Sequence, residues 1–257
     1  MIWLILSLML TQERALTENP MILAGPGILR PFYPPSESEK EIKVEAFELQ
    51  QHAVTNAEFL KFVMEKPKWR RDKVSPLFVD STYLSLWESP TRLGKQISPK
   101  QPVVFVSWFA AKAYCESIGA RLPTHFEWEL AAAASEAQAD SRSDMTWRQK
   151  ILDWYGKPAP ERLPNVMGNK PNFWGLYDLH GLIWEWVQDF NSILLSSDSR
   201  EAGKLDQAKF CGAGAIGASE TDDYPSFMRL GFLSSLEAAY TTKTLGFRCA
   251  KDRMKGK

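Results

Sequence analysis

The sequence predicts an α+β domain with a large share of irregular backbone. Three observations carry this reading. An apolar–polar alternation, read as a strand, lies in the N-terminal part, and helices marked by side-chain caps occupy the middle. Beyond Pro158, helical periodicity gives way to Gly, Pro and aromatic residues. No internal repeat, low-complexity tract or clean linker divides the 257 residues, so one domain around one core is expected.

Residues 1–20 read as a leader. Ile2 to Leu10 is nearly all apolar and breaks at Thr11-Gln12-Glu13-Arg14, a length that suits the apolar stretch of a signal peptide better than a membrane span. No Lys or Arg precedes the run and Ala15 is the nearest small residue for cleavage, so an N-terminal helix or a misassigned start codon are the alternatives. The domain itself is assigned to residues 21–257. Met21 to Pro35, rich in Pro and Gly, reads as extended or looped. Ile42 to Leu49 alternates apolar and polar residues, the pattern of a half-buried strand.

The helices follow from their starts. Thr55 with Glu58 forms a capping box, Phe59, Phe62 and Val63 share a face behind it, and Pro67 ends the helix. Pro102 to Val106 reads as a short apolar strand. Ser107 then caps a helix running through Tyr114 to a stop at Gly119. Arg121-Leu122-Pro123 is a rigid connector. Thr124 with Glu127 is a second capping box, opening a helix through Trp128, Leu130 and Ala131 to Ala134. Met145 to Tyr155 is a further helix.

Lys+Arg and Asp+Glu are both 31, and a neutral chain read as lacking a basic cluster argues against nucleic acid as a partner. No apolar run reaches the ~20 residues of a transmembrane helix. The ten tryptophans read mainly as core anchors.

Three strings narrow the reading: Arg121-Leu122-Pro123-Thr124 with Glu127-Trp128-Glu129; Gly175-Leu176-Tyr177-Asp178-Leu179-His180-Gly181 with Trp184-Glu185-Trp186; and Leu245-Gly246-Phe247-Arg248-Cys249. Their order and spacing resemble the formylglycine-generating enzyme family, the sulfatase-modifying-factor domain. The resemblance runs from about Val54 to Cys249. It implies a single α+β domain of that type, related to C-type-lectin-like folds, and an oxidation of a client sulfatase cysteine by copper held on two cysteines. It also implies a Cys115–Cys249 disulfide, and with it an oxidising, periplasmic or secreted location; two buried free thiols in the cytosol are the alternative.

The chain departs from that family where copper would bind. The two positions fall near Glu220 and Pro225 in one register, or near Gly217 and Asp222 in the other, and none is cysteine. Gly214 stands for the family's serine and Thr244 for its asparagine. Thiolates select Cu(I), so formylglycine chemistry is not expected. Cys211 is left over. It is the candidate catalytic residue of an altered oxidoreductase, one ligand of a soft metal, or a small buried apolar group.

Ser219 to Tyr224 is an acidic cluster whose oxygens, with Glu185 or Asp189, would suit calcium or a basic peptide; a solvated turn is the alternative. The residue after Gly181, an asparagine in the family's calcium site, is Leu182. The candidate groove residues are Trp186, Glu220, Asp222, Asp223, Tyr224 and Arg229, and the candidate metal ligands are Glu185 and Cys211, for calcium or copper. His52, His125 and His180 show no metal spacing. The tail, in Trp184 to Asn191, Phe210-Cys211-Gly212 and Ser234 to Ala238, resembles a subgroup of accessory proteins found beside copper nitrite reductases. That implies a non-catalytic accessory role with a protein or peptide partner. An oxidoreductase using Cys211 and a lectin-like module are the competing readings.

Overall fold

The computed structural model describes residues 19–31, 40–191 and 224–253. In chain order the elements are β1 (Met21–Ala24), β2 (Gly27–Leu29), β3 (Ile42–Val44), β4 (Phe47–Gln50), α1 (Asn56–Glu65) and a 3-10 turn (Pro67–Trp69). Then come α2 (Trp108–Ser117), α3 (His125–Ala132), α4 (Met145–Tyr155), β5 (Trp184–Glu185), α5 (Tyr224–Ser234), β6 (Leu245–Gly246) and β7 (Ala250–Asp252). This is an α+β domain with much irregular backbone.

The alternation from Ile42 to Leu49 becomes two strands rather than one. The chain bends at Glu45-Ala46, so β3 pairs with β2 while β4 lies between β1 and β7 in an antiparallel three-stranded sheet. Pro102 to Val106 is buried except at Phe105 and builds no ladder. Val103 N–H donates to Val54 O and Phe105 N–H to Thr242 O, and Phe105 has a φ of 56°, which breaks strand geometry.

Both capping boxes form. Thr55 and Thr124 accept from the amides of Glu58 and Glu127, whose carboxylates return to the cap amides. Ser107 accepts from Ala110 N–H at the start of α2. One main core lies between the sheet and helices α1 to α3. Its centre is aromatic: Phe59 stacks on Tyr114 at 5.9 Å and meets Phe247 and Trp87 edge-on. Cys115 of α2 is bonded to Cys249 just before β7, closing a separation of 134 residues.

Parallel β5 and β6 carry the second and third sequence strings side by side, Trp184 beside Leu245 and Glu185 beside Gly246. Only glycine fits at 246, because a Cβ there would run into Val103 O and the Ile183 side chain. Arg248 then points inward, fully buried. It donates to both Glu185 oxygens and to the carbonyls of Gln50, Gln51 and Tyr177, tying four segments together.

Candidate functional site

The charged and aromatic residues of α3, α4, β5 and α5 converge beside Trp184. The capping box aims α3 so that His125, Trp128 and Glu129 face inward. Helix α4 brings Trp154 and Tyr155, and α5 brings Ser226, Arg229, Phe232 and Leu233.

Glu129 is the hub. Arg229 donates to both of its oxygens, and Ser226 Oγ donates to Oε2 at 2.9 Å. Burial alone would raise this carboxyl, but the Arg229 charge and hydrogen bonds outweigh burial and hold it at about 2. Arg229 also donates to Tyr155 OH at 2.8 Å and lies over the Trp128 ring at 5.2 Å. Trp128 Nε1 donates to Glu185 Oε2 at 2.8 Å, so the Glu129–Arg229 and Glu185–Arg248 pairs flank one indole. His125 Nε2 stands 4.0 Å from Glu129 Oε1. Burial, the leading cause, lowers the pKa of that imidazole against the opposing pull of Glu129 and Asp189, and Arg229 is the main counter-charge to Glu129.

These side chains fill the space they enclose. Trp184 is held between Tyr155 (5.0 Å, 13°) and Phe232 (4.5 Å, 28°). The free volume left among them is about 10 Å³, too little for a ligand and at the limit for one water.

The sequence candidates are distributed as follows. Trp186 is fully buried, with Nε1 donating to Val106 O, so it offers no surface to a groove ligand. That corrects its assignment to the groove: its partner is backbone, and its role is packing. Arg229 lies at the filled groove but is committed to Glu129. Glu185 is corrected as a metal ligand, because Arg248 neutralises both of its oxygens. Tyr224 begins α5 and is half exposed, 5.6 Å from Phe227. Cys211, Glu220, Asp222 and Asp223 lie outside the described residues. Glu129, Tyr155 and Ser226 were missed. The available signal was a glutamate among Trp128, Leu130 and Ala131, since a carboxylate on an apolar helix face requires a buried cation.

A second cleft, about 360 Å³, opens between α4 and the turn at Asp178 to Gly181. Asp178 accepts from Met167 N–H and Asn169 Nδ2. His180 Nε2 meets Ala132 O at 2.8 Å. Its Nδ1 is buried without a hydrogen-bond partner, while the residue as a whole is half-buried. Burial and the nearby Arg229 lower this histidine to about 3. Among the described residues no group of three or more His, Cys, Asp or Glu side chains has metal-binding geometry, and no helix is long and apolar enough to cross a membrane.

The copper that the resemblance implies would need a pair of thiolate donors. A two-thiolate site needs two free cysteines, and the disulfide leaves only Cys211 of the three. The donor set does not fit.

A family model described as sulfatase-modifying factor enzyme 1-like domain matches residues 7–253. The formylglycine-generating enzyme of Thermomonospora curvata is 28% identical over 262 residues, covering 83% of this chain and 84% of that enzyme. The inactive C-alpha-formylglycine-generating enzyme 2 of Mus musculus is 33% identical over 183 residues, covering 58% and 59% of the two chains. The serine/threonine-protein kinase pkn1 of Chlamydia pneumoniae is 29% identical over 220 residues, covering 82% of this chain, and the chain spans about a third (34%) of that kinase's length. Two solved structures share the fold. Treponema denticola variable protein 1 has a TM-score of 0.51 at 17% identity, covering 91% of this chain and 95% of that one. PvdO from Pseudomonas aeruginosa has a TM-score of 0.51 at 18% identity, covering 91% and 94%. With the match extending from residue 7 to residue 253, the chain belongs to the sulfatase-modifying factor enzyme 1-like, or formylglycine-generating-enzyme-like, domain family.

Proposed function

We propose that this chain is a non-catalytic member of its family, an exported accessory protein that binds a partner rather than oxidising a client cysteine. The observation that carries the reading is the cysteine count. Two of three cysteines form the disulfide, and a lone Cys211 cannot supply the paired thiolates that hold Cu(I). The packing beside Trp184 supports it, since about 10 Å³ leaves no room for a client thiol. Relatives described as inactive, from mouse and cattle, support it as well.

Residues 1–20 are proposed as the export leader, and the disulfide supports an oxidising compartment, periplasmic or secreted. The tail strings from Trp184 to Asn191 support a place beside a copper nitrite reductase.

The test incubates the exported, oxidised protein with a sulfatase-motif peptide, copper, reductant and oxygen, and reads the peptide by mass. The peptide thiol is expected to survive. Its steady conversion to aldehyde would overturn the reading. One observation favours a second reading, an oxidoreductase with an altered metal site: the disulfide uses two of the three cysteines and leaves Cys211 over. Stoichiometric copper or iron in the purified protein, lost on Cys211→Ser, would establish it.

A further inference from the structure

A cleft of about 470 Å³ lies between the 3-10 turn, the loop that follows it and α2. None of its residues lines the filled groove at Trp184. Its size falls in the range of ligand sites. The floor is aromatic. Phe78 packs on Trp69 at 6.0 Å and edge-on against Phe109 at 5.2 Å, and Trp108 meets Phe109 at 5.5 Å. Phe78 remains 42% exposed and its neighbour Leu77 81% exposed, so apolar surface continues out of the cleft onto its lip.

The rim is basic. Lys68 Nζ stands 5.9 Å from the Trp69 ring centre and Lys112 Nζ 5.8 Å from that of Trp108. Lys112 pairs with Glu116 at 2.8 Å, whereas Lys68 and Lys73 make no ion pair among the described residues. Their source is a run that corrects the expectation of no basic cluster: Lys66, Lys68, Arg70, Arg71 and Lys73 stand against one acid, Asp72. Arg70 is bound to Asp72, and Arg71 donates to the carbonyls of Leu84 and Trp87. Lys68 and Lys73 are the part of the run turned to the cleft. In a chain of zero net charge this is a local excess of positive charge over exposed aromatic surface.

We propose that this cleft binds an acidic peptide segment of a partner protein. One apolar side chain of the segment seats on Phe78 and Phe109, and flanking carboxylates meet Lys68 and Lys73. A single-stranded nucleic acid fits less well. Bases stack on open rings, and the Trp69 and Trp108 indoles each carry a lysine. The site stands whether or not the chain oxidises anything.

The test uses the full chain and a labelled hexapeptide, Glu-Asp-Glu-Phe-Asp-Glu, followed by fluorescence anisotropy. Saturable binding is expected. A Lys68→Glu/Lys73→Glu variant should weaken it about tenfold or more at an unchanged melting temperature, because both side chains are exposed. The peptide with Ser in place of Phe should bind more weakly to the unaltered protein. Absence of saturation, indifference to the double charge reversal, or displacement by oligothymidine at equal charge concentration would each overturn the assignment.

Discussion

Arg248 shows what a single residue does in this fold. Both it and Glu185 are inaccessible to solvent, and the guanidinium satisfies three backbone carbonyls as well as the carboxylate. Such a pair contributes little net stability over a well-packed apolar pair, but removing one member strands a buried charge. Arg248→Ala is therefore expected to destabilise the protein by about 3–5 kcal/mol, read by urea denaturation. A change of under about 1 kcal/mol would mean that water reaches Glu185. The motif containing Arg248 was legible in the sequence, but its partners were not, because they lie up to 198 residues away. The same distance hid Glu129 and Arg229, which are 100 residues apart. Trp186 was misplaced for a different reason: a tryptophan in a motif looks alike whether it packs or binds, and only the Val106 carbonyl decides.

At the scale of elements, the starts of α1, α2 and α3 were legible because a cap is a contact three residues long. Helix α5 was missed. Gly231 lowers its intrinsic propensity, and its reasons to form lie elsewhere in the chain, at Glu129 for Arg229 and at Trp184 for Phe232. The strand expected at Pro102 to Val106 failed because its hydrogen bonds go to separate loops. Cys115 on α2 and Cys249 beside β7 were matched by resemblance, and the structure joins them. Replacing both by Ala is expected to lower stability by about 2–5 kcal/mol, with Cys211 then the one thiol that labels in the unfolded chain. Labelling of three thiols in the untreated, unfolded protein would remove the bridge.

The whole molecule has a definite response to acid. Burial, the leading cause in each case, lowers the pKa values of His52, His125 and His180, so the unfolded chain takes up protons near pH 6.5 before the native state does. Stability should therefore fall as pH drops below 6.5, with the His180 share complete near pH 3. Glu129 adds a later loss between its ordinary 4.5 and about 2, since its folded carboxyl stays ionised longer. Melting temperature against pH should be flat above about 7 and slope downward beneath it; His180→Gln should flatten part of that slope, and a profile level down to pH 4 would contradict the burial of all three rings. The placement of β7 has a further consequence, in time rather than space. β4 is paired on one side with β1, but its other edge, the bond from Gln50 N–H to Cys249 O and the Arg248 contacts all wait for residues 248 to 252. A nascent chain emerging N-terminus first therefore carries β1 and β4 with an open edge until residues 248 to 252 have been made, about 200 residues after β4.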